Sequence, residues 1–296
     1  MTAAILRSVS SVALFLALSV TFIVHSPQAA AAETFVFTAI PDQDESRLKT
    51  RFGKVADYLQ EKLGVPVEYV PVKSYAAAVT AFTNDQVQLA WFGGLSGVQA
   101  RERSPGAKAI AQGYEDQFFV SYFIANAATG LKPVEKLGDE LVGKTFTFGS
   151  KGSTSGRLMP EFYIREAFGK APEDVFKRVG FSGDHSRTIA LVESGAYEVG
   201  ALNYQVWETE LAAGKIDPAK VSVIWKTPTY PDYQWTIRGD VDARFGKGFT
   251  DKVQAALIGI DDPELLKVFP RKSFVAASND DYAPILETGR AIGLLD

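Results

Sequence analysis

The chain has 296 residues, 46% of them hydrophobic, with 31 Lys and Arg against 35 Asp and Glu and no cysteine. That is enough apolar material for one large core or two modest ones. A net charge of −4 with no Lys/Arg cluster excludes the basic face that a nucleic-acid binder needs. The missing cysteines exclude disulfides, thiolate metal sites, thiol catalysis and a lipid-anchored cysteine.

Residues 1–32 read as a secretory signal. Arg7 gives the charged start, residues 12–24 a short apolar run, and the alanines of 28–32 a small-residue cleavage site. The run is too short to span a bilayer comfortably as a mature helix. The mature chain is therefore expected to begin near Glu33 and to work in the periplasm.

It opens with a predicted strand over 35–39 that runs into Ile40-Pro41-Asp42. Leu48, Phe52, Val55, Ala56, Leu59 and Leu63 keep helical spacing over 45–63, and Gly64 stops the pattern. Next come a strand over 67–72, a helix after the cap Ser74 that carries Tyr75, Ala78, Val79 and Phe82, and a strand over 87–92 that halts at Gly93-Gly94. A helix over 95–103 and a strand over 108–112 follow. The alternation predicts a mostly parallel sheet with helices on both faces. Residues 118–125 (FFVSYFIA) form a continuous apolar run, which reads as a strand buried on both faces or one crossing between lobes.

The alternation then repeats. Strands over 144–148, 178–181 and 198–202 alternate with helices over 158–168, 186–194 and 205–213, which predicts a second α/β lobe. A strand over 221–225, the turn 227–232 and a strand over 234–237 read as a return crossing. Helical stretches after Asp242 and over 282–293 are expected to pack back on the first lobe. The expected division is a first lobe of 33–122 with 226–296 and a second of 123–225.

Residues 144–159 (KTFTFGSKGSTSGRLM) carry the densest signal. Residues 145–148 alternate small polar and large aromatic side chains, Gly149 breaks the strand, and a Ser/Gly turn leads into the helical pattern of Leu158, Phe162 and Arg165. The first amides of a helix lack internal partners and carry its positive dipole end. Ser153, Thr154 and Ser155 beside them make an anion site, with Gly152 and Gly156 admitting close approach. The plain alternative is a helix cap, which needs one such residue rather than a run.

Other motifs are weaker. Residues 138–145 (GDELVGKT) fit the phosphate-loop pattern G-x-x-x-x-G-K-[ST], but that loop must open a helix and this one runs into a strand. Residues 152–156 approach the nucleophile elbow G-x-S-x-G with Thr154 in the nucleophile position. His185, the one histidine left after the signal, lies between a predicted strand and helix on the edge where open α/β sheets hold ligands. A solvated loop histidine is its plain alternative. One histidine with scattered carboxylates gives no metal-ligand spacing, and no cofactor is implied. Tyr75, Trp91, Phe92, Tyr204, Trp207, Tyr230, Tyr233 and Trp235 gather at expected lobe edges, for the most part as core or hinge packing. Asp232 reads as a turn residue or as a contact in the crossing turn.

These pieces carry a resemblance. Lys73-Ser-Tyr75-Ala76, Leu89-Ala-Trp91-Phe92-Gly93-Gly94-Leu95-Ser96, Phe148-Gly149 through Ser153-Thr-Ser-Gly156, Phe181-Ser-Gly-Asp-His185 and Val223-Ile-Trp225-Lys-Thr-Pro228 stand in a specific order and spacing. Through them the mature chain, nearly end to end, resembles the phosphonate and phosphite binding family of ABC-transporter periplasmic binding proteins. It is similar in particular to a branch associated with selenate, through Ser153-Thr-Ser-Gly-Arg-Leu-Met-Pro160 and Asp232-Tyr233-Gln-Trp235-Thr-Ile-Arg238.

The resemblance implies a type II periplasmic binding protein fold: two α/β lobes, two hinge-crossing strands, and a small tetrahedral oxyanion in the interlobe cleft. Carried over by position, it implies that Ser153, Thr154, Ser155 and the Gly156 amide hold the oxyanion and that His185 donates to it. Tyr75, Phe92 and the loop of Gly93 to Ser96 reach across from lobe one, Asn203 lines the site from lobe two, and Asp232 with Tyr233 touches the ligand from the hinge side. Two departures stand out. Phe92 replaces a Tyr of phosphonate-binding relatives, and Asn203-Tyr-Gln-Val-Trp207 lacks the carboxylate with which aminoalkylphosphonate binders meet the amine.

The implied function is a receptor, not an enzyme, that delivers its ligand to an inner-membrane ABC permease and ATPase as a monomer, with no nucleic acid or metal. An ionised Asp232 accepts hydrogen bonds but cannot donate one, which favours hydrogen phosphite or a phosphonate monoanion over selenate or sulfate. His185 is expected to titrate between about pH 5 and 8. Three alternatives stand beside this: a selenate or sulfate receptor in which Asp232 points away, a ligand-sensing module for a membrane receptor, and an enzyme on the same scaffold. The last needs a nucleophile with a partnered base, or a metal.

Overall fold

The first strand, β1 (Phe35–Ala39), leads into α1 (Glu45–Leu63), β2 (Val67–Tyr69), α2 (Tyr75–Thr83), β3 (Leu89–Phe92), α3 (Gly94–Glu102) and β4 (Lys108–Gly113). The middle of the chain holds β5 (Ser121–Asn126), β6 (Thr145–Phe148), α4 (Met159–Phe168), the single turn α5 (Pro172–Val175), β7 (Arg178–Phe181), α6 (His185–Glu193), β8 (Val199–Asn203), α7 (Tyr204–Ala212) and β9 (Val221–Lys226). It closes with β10 (Gln234–Ile237), α8 (Val241–Phe245), α9 (Phe249–Ile258), α10 (Pro263–Val268), β11 (Phe274–Ala276) and α11 (Ala283–Ala291). This computed structural model describes residues 33–296, and the expected signal segment, 1–32, lies outside the described residues.

Local chemistry fixes the element ends. Asp44 Oδ1 accepts the Arg47 N–H at 3.0 Å to start α1, and Gly64 ends it at φ 70°, a left-handed conformation that glycine adopts without strain. Leu48, Phe52, Val55, Leu59 and Leu63 are the buried stripe of that helix, at the spacing the sequence predicts. Ser74 caps α2 through the Ala77 N–H.

Two sheets result, ordered β11-β4-β10-β3-β1-β2 in lobe one and β7-β6-β8-β5-β9 in lobe two. They are mixed rather than mostly parallel. β1 pairs in parallel with β2 and β3, and β6 with β7 and β8, but the returning β10 lies antiparallel between β3 and β4, and β5 antiparallel between β8 and β9. Trp91, Trp235, Phe37, Phe52 and Phe269 form one interlocking aromatic core in lobe one, with the Trp91 and Trp235 rings 5.2 Å apart.

The apolar run 118–125 is not one strand. Phe118 ends a 3-10 turn with 56% of its surface exposed, Phe119 makes an isolated antiparallel bridge to Tyr230, and the strand begins at Ser121. The break is the passage between sheets, matched on the return by residues 227–233. Two short elements, α5 and β11, were not signalled by the sequence, because each is too brief to show a period. The run 138–145 ends in β6, so its lysine meets Glu198 and no helix opens there.

Candidate functional site

The parallel strands of both lobes point their C-terminal ends at the seam between the lobes, the edge on which α/β sheets place their ligands. From lobe one come the loop after β1, the start of α2 and the turn after β3. Lobe two sends the turns after β6, β7 and β8.

After β3, Gly93 is the cap residue of α3. Its N–H donates to Ser96 Oγ at 3.1 Å, and the same hydroxyl donates back to Gly93 O at 3.2 Å. The next two amides bind side chains from elsewhere: Gly94 N–H donates to Asp232 Oδ1 of the returning crossing segment at 2.9 Å, and Leu95 N–H reaches Thr154 Oγ1 of lobe two at 3.0 Å. A Cβ on Gly93 would stand 3.0 Å from Asp232 Oδ1 and 3.2 Å from Thr154 Oγ1, so both side chains would have to give way. Phe92, on the other face of β3, packs its ring on Phe82 of α2, 5.6 Å between centroids.

After β6, Ser153 caps a single π-helical turn, Thr154–Leu158, that precedes α4. Its Oγ accepts the Gly156 N–H at 2.9 Å, so the amide expected to hold an oxyanion is committed to the cap. Gly152 and Gly156 are needed for packing: a Cβ would come 3.1 Å from Tyr75 Cβ at the first, and 3.1 Å from both Gly149 Cα and His185 Cε1 at the second. Ser155 O accepts from Ser121 Oγ at 2.8 Å, while Ser155 Oγ, fully buried, faces Asp232 without closing a hydrogen bond of normal geometry.

His185 is the first residue of α6, which Asp184 caps through the Arg187 N–H. Its own N–H crosses the seam to Asp42 O at 3.1 Å. Ring Nδ1 accepts the Asn203 N–H at 3.3 Å, so the neutral ring carries its proton on Nε2, which is buried with no partner. Burial pushes the imidazole down to about 4, against the opposing pull of Asp42. The expectation that it titrates between pH 5 and 8 is therefore corrected: desolvation keeps it neutral throughout that range.

Asp232 is 1% exposed. Asp116 O holds its N–H at 2.9 Å, Gly94 binds Oδ1, and Oδ2 has no partner. Burial pushes its carboxyl up to about 7 even though the Gly94 bond and the Thr154 hydroxyl favour the charge. Tyr75, at the start of α2, has a buried hydroxyl without a partner, and burial raises it well above its ordinary value. Asn203 caps α7 through Gln205 N–H at 2.7 Å and donates to Tyr233 OH at 3.0 Å, and the Tyr233 ring stacks on Trp91.

The structure thus brings Tyr75, Gly93, Thr154, Ser155, Gly156, His185 and Asp232 to one seam, with Ser153, Asn203, Tyr233 and Ser96 bracing them. Sequence reasoning missed Asp42, whose Oδ1 is buried there without a partner. Its place just past the end of the first parallel strand was the available signal. It also missed the buried Asp116–Arg271 pair, 2.7 Å apart, that supports Asp232 and Tyr233 from behind. Nothing local marks partners 155 positions apart.

Comparison with known proteins identifies the family and the fold. The family model described as the periplasmic substrate-binding protein of phosphonate ABC transporters matches residues 37–282. A probable ABC transporter phosphite binding protein, PhnD1 of Prochlorococcus marinus, is 41% identical over 261 residues, covering 86% of this chain and 88% of its own. The structure of that protein in complex with methylphosphonate superposes with a TM-score of 0.83 at 40% identity, over 88% of this chain and 98% of the other. A binding-protein component of an ABC phosphonate transporter from Pseudomonas aeruginosa shares the fold, with a TM-score of 0.76 at 22% identity over 88% of each chain. The chain belongs to the phosphonate-binding family of ABC-transporter periplasmic substrate-binding proteins.

Proposed function

We propose that this chain captures a singly protonated tetrahedral phosphorus oxyanion, phosphite or a small alkylphosphonate such as methylphosphonate, and releases it as a monomer to an inner-membrane ABC permease. The observation that carries the reading is the set of buried polar atoms left without partners at the seam: Tyr75 OH, Ser155 Oγ and His185 Nε2 as donors, Asp232 Oδ2 and Asp42 Oδ1 as acceptors. Buried polar groups are nearly always hydrogen-bonded, so a cluster of orphans converging from two lobes calls for a polar guest. Thr154 completes the donor set, and Ser153, Ser96, Asn203 and Tyr233 hold it in shape. Both lobes turn about residues 119–120 and 227–233, closing on the ligand as hinged receptors do.

The chemistry selects among oxyanions. Hydrogen bonds to a charged group contribute about 1.5–3 kcal/mol each, and a few that survive desolvation and ordering reach the ~8 kcal/mol of a micromolar site. Ionised Asp232 takes the acidic hydroxyl of the ligand. Sulfate and selenate bring no proton, so Asp232 must supply one, and it gives up that proton as pH rises through about 7. The PhnD1 complex with methylphosphonate, at 40% identity, supports the phosphorus class. Calorimetric titration of the mature protein with phosphite, methylphosphonate, aminoethylphosphonate, phosphate, selenate and sulfate at pH 6 and 8 tests this. Tight binding of phosphite or methylphosphonate is expected, weakened by Asp232→Asn, with sulfate and selenate falling about tenfold per pH unit above 7. Selenate or sulfate bound tightly and equally at both pH values would overturn the phosphorus reading.

A further inference from the structure

Lobe one and lobe two are joined by one ion pair among the described residues, and it lies beside the site. Arg47, in the first turn of α1, places Nη1 3.3 Å from Glu210 Oε1 on α7 of lobe two. Every other ion pair described stays within a lobe or its adjoining crossing segment. Glu210 is only 7% exposed, and the same Oε1 accepts from Ser186 Oγ at 2.6 Å. Ser186 follows His185, whose N–H is held by Asp42 O across the same seam. Thus residues 42–47 of one lobe clasp residues 185–186 and 210 of the other by a main-chain bond and a side-chain bond. Arg47 has a second partner on its own helix, Asp44, at 3.1 Å, so opening leaves the arginine paired. Glu210 then loses its charged partner and keeps the Ser186 hydroxyl.

We infer that Glu210 is a positioning residue for ligand capture: through Arg47 it latches the two lobes closed, and through Ser186 it holds the start of α6 so that His185 Nε2 faces the cleft. This rests on the reading that the ligand lies between the lobes. Because the pair exists in the closed form, removing it accelerates opening and therefore ligand release, with little change in the rate of encounter. Glu210→Gln keeps the Ser186 bond and removes the charge, and Arg47→Ala removes the partner. Neither residue is assigned a ligand contact.

The test measures release of phosphite by stopped-flow tryptophan fluorescence in the unaltered protein, the two single variants and the double variant. Each single change is expected to speed release about three- to fivefold, the reach of a partly exposed pair, and the double change no more than one of them. A second readout needs no ligand: amide exchange at His185 and Ser186, measured in the ligand-free protein, should quicken in Arg47→Ala. Unchanged release together with unchanged exchange, or single effects that multiply in the double variant, would overturn the latch. If phosphite fails to bind the unaltered protein, the ligand reading falls and the exchange measurement alone decides the latch, faster exchange supporting it and equal exchange removing it.

Discussion

The turn after β3, with Gly93, Gly94 and Ser96, and the turn after β6, from Gly149 to Gly156, each lead a buried strand into a helix through small residues and hydroxyls. In the first, everything is spent: Ser96 Oγ both accepts from and donates to Gly93, and the Gly94 and Leu95 amides are taken by Asp232 and Thr154. In the second, Ser153 and Gly156 satisfy each other while Ser155 Oγ is left buried with no partner. Residue type therefore does not separate a brace from a binding group. What separates them is which polar atom remains after the turn has satisfied itself.

The largest effect expected comes from the titratable groups that anchor the two turns, Asp232 on the first and His185 on the second. Asp232 is raised from 3.8 to about 7, so the folded protein binds more protons than the unfolded chain in that window, and this group's stabilisation is lost as pH rises through it. His185 is lowered from 6.5 to about 4, so the unfolded chain binds more protons, and stability falls as pH drops from 6.5 towards 4. The slopes oppose each other between 4 and 6.5. Relative to the unaltered ligand-free protein, Asp232→Asn should gain stability with rising pH there, and His185→Ala should lose it. Each slope is on the order of 1 kcal/mol per pH unit and amounts to a few kcal/mol across the window. Urea midpoints at pH 4.5, 5.5 and 6.5 report it, and parallel curves for all three proteins would show that neither group is buried as described.

Second in size is a Cβ at the tighter turn. At Gly156 it would press on Gly149 Cα, which is backbone, and on the His185 ring, whereas at Gly93 it meets side-chain atoms alone, of Asp232, Thr154 and Ile40. Gly156→Ala should lower stability by about 2 kcal/mol through overpacking, and phosphite affinity should fall with it. Thermal melts and calorimetry of the two alanine variants side by side check this, with the milder loss expected for Gly93→Ala. Equal effects would erase the distinction between a turn closed on backbone and one closed on side chains.

How far the sequence led follows from the range of each signal. Periodicity and caps located α1, α2, β1, β6 and β7 because those signals are local, as with Asp44, Ser74 and Gly64. The alternation could not show that β5 and β10 run antiparallel, since direction in a sheet is set by the crossings and not by side-chain pattern. At the site, the convergence of Tyr75, the run of 153–155, His185 and Asp232 was legible only through their order along the chain and the family resemblance. The states of these groups were not. That His185 stays neutral and that Asp232 titrates only near pH 7 depend on burial, and that Gly156 N–H and Ser96 Oγ are already engaged depends on how each turn closes on itself.

The third and fourth effects form a matched pair on the two turns. Ser155→Ala removes a buried hydroxyl that has no partner in the ligand-free protein, so stability should hold or rise slightly while phosphite affinity drops about tenfold, the loss of one hydrogen bond to a charged ligand. Ser96→Ala removes the hydroxyl that secures the Gly93 amide at the start of α3, so it should cost about 1 kcal/mol of stability and change affinity less than threefold. Denaturant midpoints and titration calorimetry on the two variants separate the readouts. The crossed pattern is the point of the measurement: if Ser96→Ala lost affinity without stability, the hydroxyl assigned to bracing would be a ligand contact, and the rule drawn from the two turns would fail where it is easiest to apply.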